Sequence, residues 1–117
     1  MKNLAETRAR YLADPLPRRL GALAANLARV SSSARHPSRT ESVALMLEES
    51  QHFIEWAAAE AEPEVAAELV DIQVMVALWR LIWPDAQRND AQRALLSFQA
   101  KKWSDQVLDY SGLLESA

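Results

Sequence analysis

The stretch Val65–Trp83, VAAELVDIQVMVALWRLIW, decides the fold class of this chain. Apolar residues recur along it at intervals of three and four, the spacing that places side chains on one side of an α-helix. This stripe consists of Val65, Leu69, Ile72, Val76, Trp79 and Trp83. The opposite side is also apolar and includes Val70, Val74 and Leu81. Since a helix that is apolar nearly all round is usually buried on nearly all sides, the stretch predicts the central helix of a small bundle.

The N-terminal third predicts two further helices and a loop. Residues 1–16 are expected to form a short helix and a proline-rich turn, because proline removes a backbone donor and disfavours helix in the residue before it. The buried residues expected on this helix are Leu4, Tyr11 and Leu12. A second helix follows from Pro17, with an apolar stripe of Leu20, Leu23, Leu27 and Val30. Residues 31–39, SSSARHPSR, predict a flexible loop.

The remaining segments predict a third and a fifth helix on either side of the opening stretch. The third helix is expected to begin near Ser38 or Thr40, either of which can cap it, and to end before Pro63. Trp83-Pro84-Asp85 is expected to close the fourth helix, and Asn89 or Asp90 to cap the last. No strand pattern interrupts these helices. We therefore predict one all-α domain over residues 1–117, an antiparallel four-helix bundle with an additional short N-terminal helix.

Composition narrows the cellular setting. The chain of 117 residues has no cysteine, so neither a disulfide framework nor a thiolate metal site is available. Its first twenty residues carry five basic groups and no continuous apolar run, a pattern that excludes a secretory signal peptide. The opening stretch is too interrupted by charge to span a bilayer, which needs about 20 mainly apolar residues. These features predict a cytoplasmic protein of bacterial type that makes no membrane contact.

The charges are unevenly distributed along the chain. Residues 1–40 hold eight Lys/Arg against two acidic residues, whereas residues 41–117 hold five against fourteen. Such asymmetry is typical of a basic arm that binds nucleic acid or another polyanion, and also of a basic segment that lies along acidic helices of its own fold. The second interpretation is favoured. Under the first, the anion-binding residues would be Arg18, Arg19, Arg35 and Arg39.

Two acidic segments are candidates for a metal site. Glu49 and His52 stand three residues apart and would share one helical face, which is half of a di-iron bundle motif without its second copy. LEESQHFIEW and AELVDIQVMV resemble the all-helical nucleoside triphosphate pyrophosphatases of the MazG type. The resemblance implies a magnesium site for triphosphate hydrolysis, formed by acidic residues on two successive helices. The residues that would hold the metal are Glu49, His52, Glu55, Glu68 and Asp71.

That resemblance departs from the family at one position. The family pattern has an acidic residue three places after the first glutamate pair, where this chain has His52, and Glu55 could substitute only from the next turn. Solvated acidic helix faces are the favoured explanation of these glutamates, because glutamate is a common helix former. Apart from magnesium under this alternative, the sequence predicts no cofactor.

The favoured function is contact with other proteins. A bundle of this size has difficulty covering every side of the opening stretch, and from Val74 to Trp83 its only polar side chain is Arg80. Arg80 is expected either to pair with Glu48, Glu55 or Asp109 or to extend to the edge of the bundle. Unless the N-terminal segment covers it, an apolar patch remains, with Met75, Leu78 and Ile82 as its interface residues. Burial of this patch predicts a homodimer centred near Leu78.

A second resemblance covers most of the chain. PLPRRLGALAANLARVSS, LEESQHFIEW and the closing YSGLLE are similar to small uncharacterised all-helical proteins of cyanobacteria. It implies no activity. The leading hypothesis is a non-catalytic protein that acts as an oligomer, an adaptor or a small subunit of a larger complex.

Overall fold

The computed structural model describes residues 3–113, and within them every regular element is helical. The α-helices are α1 Leu4–Ala13, α2 Leu16–Ala34, α3 Thr40–Ala58, α4 Pro63–Ala86 and α5 Asp90–Ser111, with a short 3-10 helix, η1, at Pro37–Arg39. The predicted all-α class is confirmed. The sequence also predicts an apolar stripe on the last helix, and its final member, Leu114, lies outside the described residues; the stripe is Leu96, Ala100, Trp103, Val107, Tyr110 and Leu114.

Local sequence explains where most of these helices begin and end. The Asn3 side chain accepts from the backbone N–H of Glu6 at 3.0 Å, and Asn89 accepts from that of Gln92 at 2.9 Å, so each asparagine satisfies a free donor of the first turn. Pro63 opens α4, as predicted, where a missing N–H costs nothing. Gly112 ends α5 with a φ of 73°, a backbone conformation that favours glycine.

The predicted start of α3 near Thr40 is confirmed, whereas the predicted loop, the predicted cap of α3 and the predicted end of α4 differ from the structure. Residues 31–34 belong to α2 rather than to a loop, because Ser31 Oγ donates to the Ser97 carbonyl at 2.7 Å and Ala34 is fully buried. The connection to α3 is therefore confined to residues 35–39. Neither Ser38 nor Thr40 caps α3, whose N-cap residue is Arg39 without a side-chain bond. Pro84 lies inside the last turn of α4, which continues to Ala86.

Helix α2 has a neighbour on each side. Its predicted stripe is buried against α3 and α5: Leu20, Leu23, Leu27 and Val30. The contact with α5 is antiparallel and close, since Ser104 Oγ donates to the Ala24 carbonyl at 2.7 Å and Ser97 Oγ to the Ser31 carbonyl at the same distance. On the other side, Asn26 Nδ2 donates to Ser50 Oγ of α3 at 2.8 Å. Small side chains at these contacts let the helix backbones approach one another closely.

Helix α4 lies at the side of the helix assembly rather than at its centre. It packs along α3 and touches α5 much less. The predicted stripe is confirmed from Leu69 to Trp83, all of whose members are buried, whereas Val65 is half-buried. The opposite side is exposed, so the prediction of a helix buried on nearly all sides was wrong. The helical periodicity correctly identified two apolar sides of α4, but α3 packs against only one of them.

The four tryptophans contribute to the core, as expected for such large side chains. Trp56, Trp79, Trp83 and Trp103 are each more than nine-tenths buried. Trp83 Nε1 donates to the Thr40 carbonyl at 2.9 Å and Trp79 Nε1 to Gln99 Oε1 at 2.8 Å. These bonds satisfy two indole donors that burial would otherwise penalise.

Helix α1 lies over α3 through aromatic contacts. The Tyr11 ring stacks on Phe53 with centroids 4.2 Å apart, and its hydroxyl donates to the Arg19 carbonyl at 2.7 Å. Burial raises the pKa of this hydroxyl well above its ordinary value. Leu12 is half-buried, but Leu4 is exposed, contrary to its predicted burial. Leu4 lies in the first turn of α1, seven residues before the tyrosine that holds this helix in place. Since α1 packs on α3, it does not cover the exposed side of α4.

Among residues 3–113, no helix is both long enough and apolar enough to cross a membrane.

The close contact between α2 and α5 gives a test of the packing. Ser104→Leu adds bulk where the hydroxyl bonds the α2 backbone, and we expect it to lower the free energy of unfolding by about 2 kcal/mol or more, because overpacking forces the helices apart. Ser42, exposed on α3, provides the matched control, and Ser42→Leu is expected to change stability by less than about 0.5 kcal/mol. Urea unfolding followed by circular dichroism measures both. Equal effects of the two variants would contradict the close contact.

Candidate interaction surface

An apolar surface runs along the exposed side of α4 and onto α5. We call it the α4–α5 face. Its side chains are between 36% and 77% exposed, with Leu81 the most exposed. Its members are Val70, Val74, Met75, Leu78, Leu81, Ile82, Leu95 and Phe98. Helical geometry places Val74, Leu78 and Leu81 in a ridge that points away from the core.

A groove separates α4 from α5 beside this ridge. Its middle section encloses about 260 Å³, with Met75 and Ile82 on one wall and Leu95 on the other. Buried Trp79 forms the floor, and the indole bond to Gln99 crosses the groove beneath the surface. The groove is open because α4 and α5 have few direct contacts along this side.

The groove widens and becomes more polar toward the start of α4. This section has a volume of about 400 Å³ and an apolar lining that includes Phe98 and Trp103. Its charged and amide side chains are those of Glu68, Asp71, Gln99, Lys102 and Gln106. Burial raises the pKa of the nearby Tyr110 hydroxyl above its ordinary value; the hydrogen bond from Gln106 Nε2 opposes this rise, and the negative charge of Glu68 adds to it.

The predicted interface residues lie together on this surface. Met75, Leu78 and Ile82 are 36%, 50% and 44% exposed and line one side of the groove. Sequence reasoning missed Leu95 and Phe98, which line the opposite side. They stand three apart on α5 but off its buried stripe. Helix α5 already has one buried apolar stripe, and further apolar residues outside that stripe were the signal that could have identified Leu95 and Phe98.

The predicted metal ligands are not brought together. Within the described residues 3–113, no group of three or more His, Asp or Glu side chains lies close enough to hold a metal ion. Glu68 and Asp71 line the groove toward α5. On α3, the imidazole of His52 stacks on Trp56 with ring centroids 5.5 Å apart, Glu49 is half-buried and Glu55 is exposed.

The rotation of α4 about its axis explains this separation. Gln73 and Arg80, two turns apart on α4, both face α3: Gln73 Nε2 donates to the Gln51 carbonyl at 3.3 Å, and Arg80 donates to the Gln51 side chain. Glu68 and Asp71 are therefore turned away from α3 and toward α5. The spacing within each acidic segment was correct for a shared face, but spacing within a helix does not determine which neighbour that face meets.

Arg80 meets both parts of its prediction. Its guanidinium donates to the Gln51 side chain and lies 3.9 Å from the Glu48 carboxylate. The side chain is also 40% exposed at the edge of the α3–α4 contact. Because both partners are on α3, Arg80, the one charged residue between Val74 and Trp83, is directed away from the groove.

Arg19, one of the residues named for the polyanion alternative, is a buried structural residue rather than a surface cation. It is only 4% exposed. Its Nε donates to the Asp14 carbonyl at 2.9 Å, and its Nη1 to Glu60 Oε2 at 2.6 Å. The hydrogen bond from Arg19 lowers the pKa of the Glu60 carboxyl below its ordinary value. Arg19 thus connects the turn after α1 to the end of α3, an interaction that charge counting does not reveal.

The other three predicted anion-binding residues do not form one patch. Arg18 lies near the start of α2, whereas Arg35 and Arg39 follow its end. Seventeen residues of helix separate Arg18 from Arg35 by about 25 Å. Arg35 Nε donates to Ser97 Oγ at 3.1 Å, which ties its side chain to α5. Any polyanion bound by these arginines would have to span the length of the helix.

Comparison with known proteins adds no relative: family models, curated proteins and solved structures each gave no match.

Arg19 provides a test of the N-terminal attachment. Arg19→Met keeps much of the apolar volume but removes both hydrogen bonds, and we expect it to lower the free energy of unfolding by about 1–3 kcal/mol at neutral pH. The exposed neighbour gives the control, Arg18→Met, with a change below about 0.5 kcal/mol. Thermal or urea unfolding distinguishes them. Equal stability of the two variants would show that Arg19 is not a structural tie.

The same variant has a predicted pH dependence. Because the pKa of folded Glu60 lies below its ordinary value of 4.5, its contribution to stability is present above pH 4.5 and is lost as the pH falls through the folded pKa. The stability difference between wild type and Arg19→Met should therefore narrow as the pH falls below 4.5. A difference that is independent of pH would show that the charge pair contributes nothing.

The separation of the acidic residues of α3 from those of α4 predicts the outcome of an assay for nucleoside triphosphate hydrolysis. We expect no magnesium- or manganese-dependent hydrolysis of nucleoside triphosphates above the uncatalysed rate, because Glu68 and Asp71 face α5 while Glu49 belongs to α3. Phosphate and pyrophosphate release by the purified protein measures this. Hydrolysis that Glu68→Gln abolishes, and that exposed Glu64→Gln leaves unchanged, would contradict the geometry.

Proposed function

We propose that this chain is a non-catalytic helical protein that works by protein–protein contact through the α4–α5 face. It acts as an oligomer, an adaptor or a small subunit of a larger complex. Such contact requires no cofactor. A cytoplasmic location and kinship with small cyanobacterial helical proteins remain predictions of the sequence.

We further propose that the chain is an antiparallel four-helix bundle, α2 to α5, with α1 as an addition. The hydrogen bonds between helices support this arrangement. Ser31 pairs with Ser97, and Ala24 with Ser104, so α2 and α5 run in opposite directions. The bond from Trp83 to the Thr40 carbonyl pairs the end of α4 with the start of α3. In this arrangement α4 and α5 are the pair that is left partly open.

The observation that carries the functional proposal is that α4 has more apolar surface than its neighbouring helices bury. The helix is apolar on two sides but packs on one. Taking about 170 Å² for each fully exposed large side chain, the eight members of the α4–α5 face present roughly 700 Å². The largest apolar patch on a typical monomer covers about 300–600 Å², and patches of this size or larger usually mark interaction sites. An exposed face of this area favours a partner.

A photo-crosslinking experiment tests this proposal without assuming who the partner is. A photoreactive phenylalanine analogue placed at Leu78 should form covalent adducts with protein in the cells that naturally make this chain, because position 78 lies within the buried contact. The same analogue at Lys101, an exposed residue of α5 paired with Asp105, provides the control and should give few adducts. Equal or absent adducts at both positions would refute contact through this face.

A further inference from the structure

We infer that the partner on the α4–α5 face is a second copy of this chain. The twofold axis of the dimer passes between the two α4 helices, near Leu78 of each copy. This inference rests on the proposed function, since it names the occupant of the same surface. Each α4 ridge lies in the groove between α4 and α5 of the other copy. Phe98, which is 66% exposed on α5, packs against the entering helix and extends the interface beyond α4.

The area of the face fits a dimer. Its roughly 700 Å² of apolar side chain is close to the about 800 Å² that each partner contributes to an interface of standard size. Polar atoms at the rim make up the remainder. The side chains around Leu78 carry no charge toward the groove, because Arg80 is directed to Gln51 and Glu48 of α3. A dry apolar centre with polar ends is the usual anatomy of a stable interface.

The shape of the face is self-complementary. One surface carries both the ridge of Val74, Leu78 and Leu81 and, directly beside it, a groove lined by Met75 and Leu95. A twofold axis brings the same patch of two copies together, so each ridge can enter the other groove. The sparse contact between α4 and α5 leaves the opening that this requires.

Solution mass provides the first test. Size-exclusion chromatography with light scattering on the purified full chain at about 50 µM should give twice the mass of one chain, since interfaces of this size commonly bind in the micromolar range or tighter. Leu78→Glu and Phe98→Glu should each raise the dissociation constant at least tenfold. Leu45→Glu, which changes an equally exposed leucine on α3, outside this face, is the matched control and should remain dimeric.

Charge exchange tests the position of the twofold axis. Leu78→Glu and Leu78→Lys should each be monomeric, whereas an equimolar mixture should recover the dimer mass, because the axis brings position 78 of one copy next to position 78 of the other. Circular dichroism of each variant verifies its fold. A mixture that stays monomeric would overturn the placement of the twofold axis near Leu78.

The outcomes separate this inference from the proposed function. A wild type that is monomeric at 50 µM would overturn the second copy as occupant. If crosslinks at position 78 then join a different protein, contact through the face stands and the partner is another chain. If the wild type is monomeric and position 78 forms no adducts, both proposals fail. A dimer that Leu45→Glu dissociates and Leu78→Glu does not would place the interface on another surface.

Discussion

The close antiparallel contact between α2 and α5 is the constraint on which the rest of the structure depends. Serine and alanine hold the two backbones together: Ser31 and Ser97 exchange hydrogen bonds with each other's carbonyls, and Ser104 bonds the carbonyl of Ala24. At the far end, Gly21 leaves room for the side chain of Leu113, whose methyl carbon would lie 2.6 Å from a Cβ added at position 21. These small residues allow α5 to pack deeply against α2, and α5 is thereby drawn away from α4.

The open side of the molecule follows from that placement. Helix α4 is attached to α3 through Trp83 and Arg80, whereas α5 belongs to α2, so the remaining pair meets chiefly through the bond from Trp79 to Gln99. The groove between them is the space that two separately anchored helices leave. Because α4 has apolar side chains on its outer side as well, that space becomes an apolar surface instead of a solvated cleft. We propose that contact with a partner completes the burial of α4.

The sequence predicted the helices and the buried stripes well, because both follow from local spacing. The stripe from Leu69 to Trp83 and the cap at Asn89 are confirmed. What failed depends on which neighbour each side of a helix meets. The opening prediction buried the outer side of α4, the polyanion alternative placed Arg19 on the surface, and the pyrophosphatase alternative turned Glu68 toward α3. In each case the side of the helix on which the residue lies was predicted correctly from the sequence. Which neighbouring helix packs against that side depends on contacts between distant segments, and the spacing of residues within one helix does not determine these contacts.

A single cysteine tests the central claim most directly, because the natural chain has none. A disulfide needs Cα atoms within about 7 Å, so it forms rapidly only between positions that the interface holds side by side. Leu78→Cys is predicted to give a disulfide-linked dimer under mild oxidation at micromolar concentration, while Leu45→Cys, an equally accessible leucine outside the face, stays largely unlinked. Equal rates of linkage at the two positions, or faster linkage at position 45, would contradict a twofold contact through the α4–α5 face.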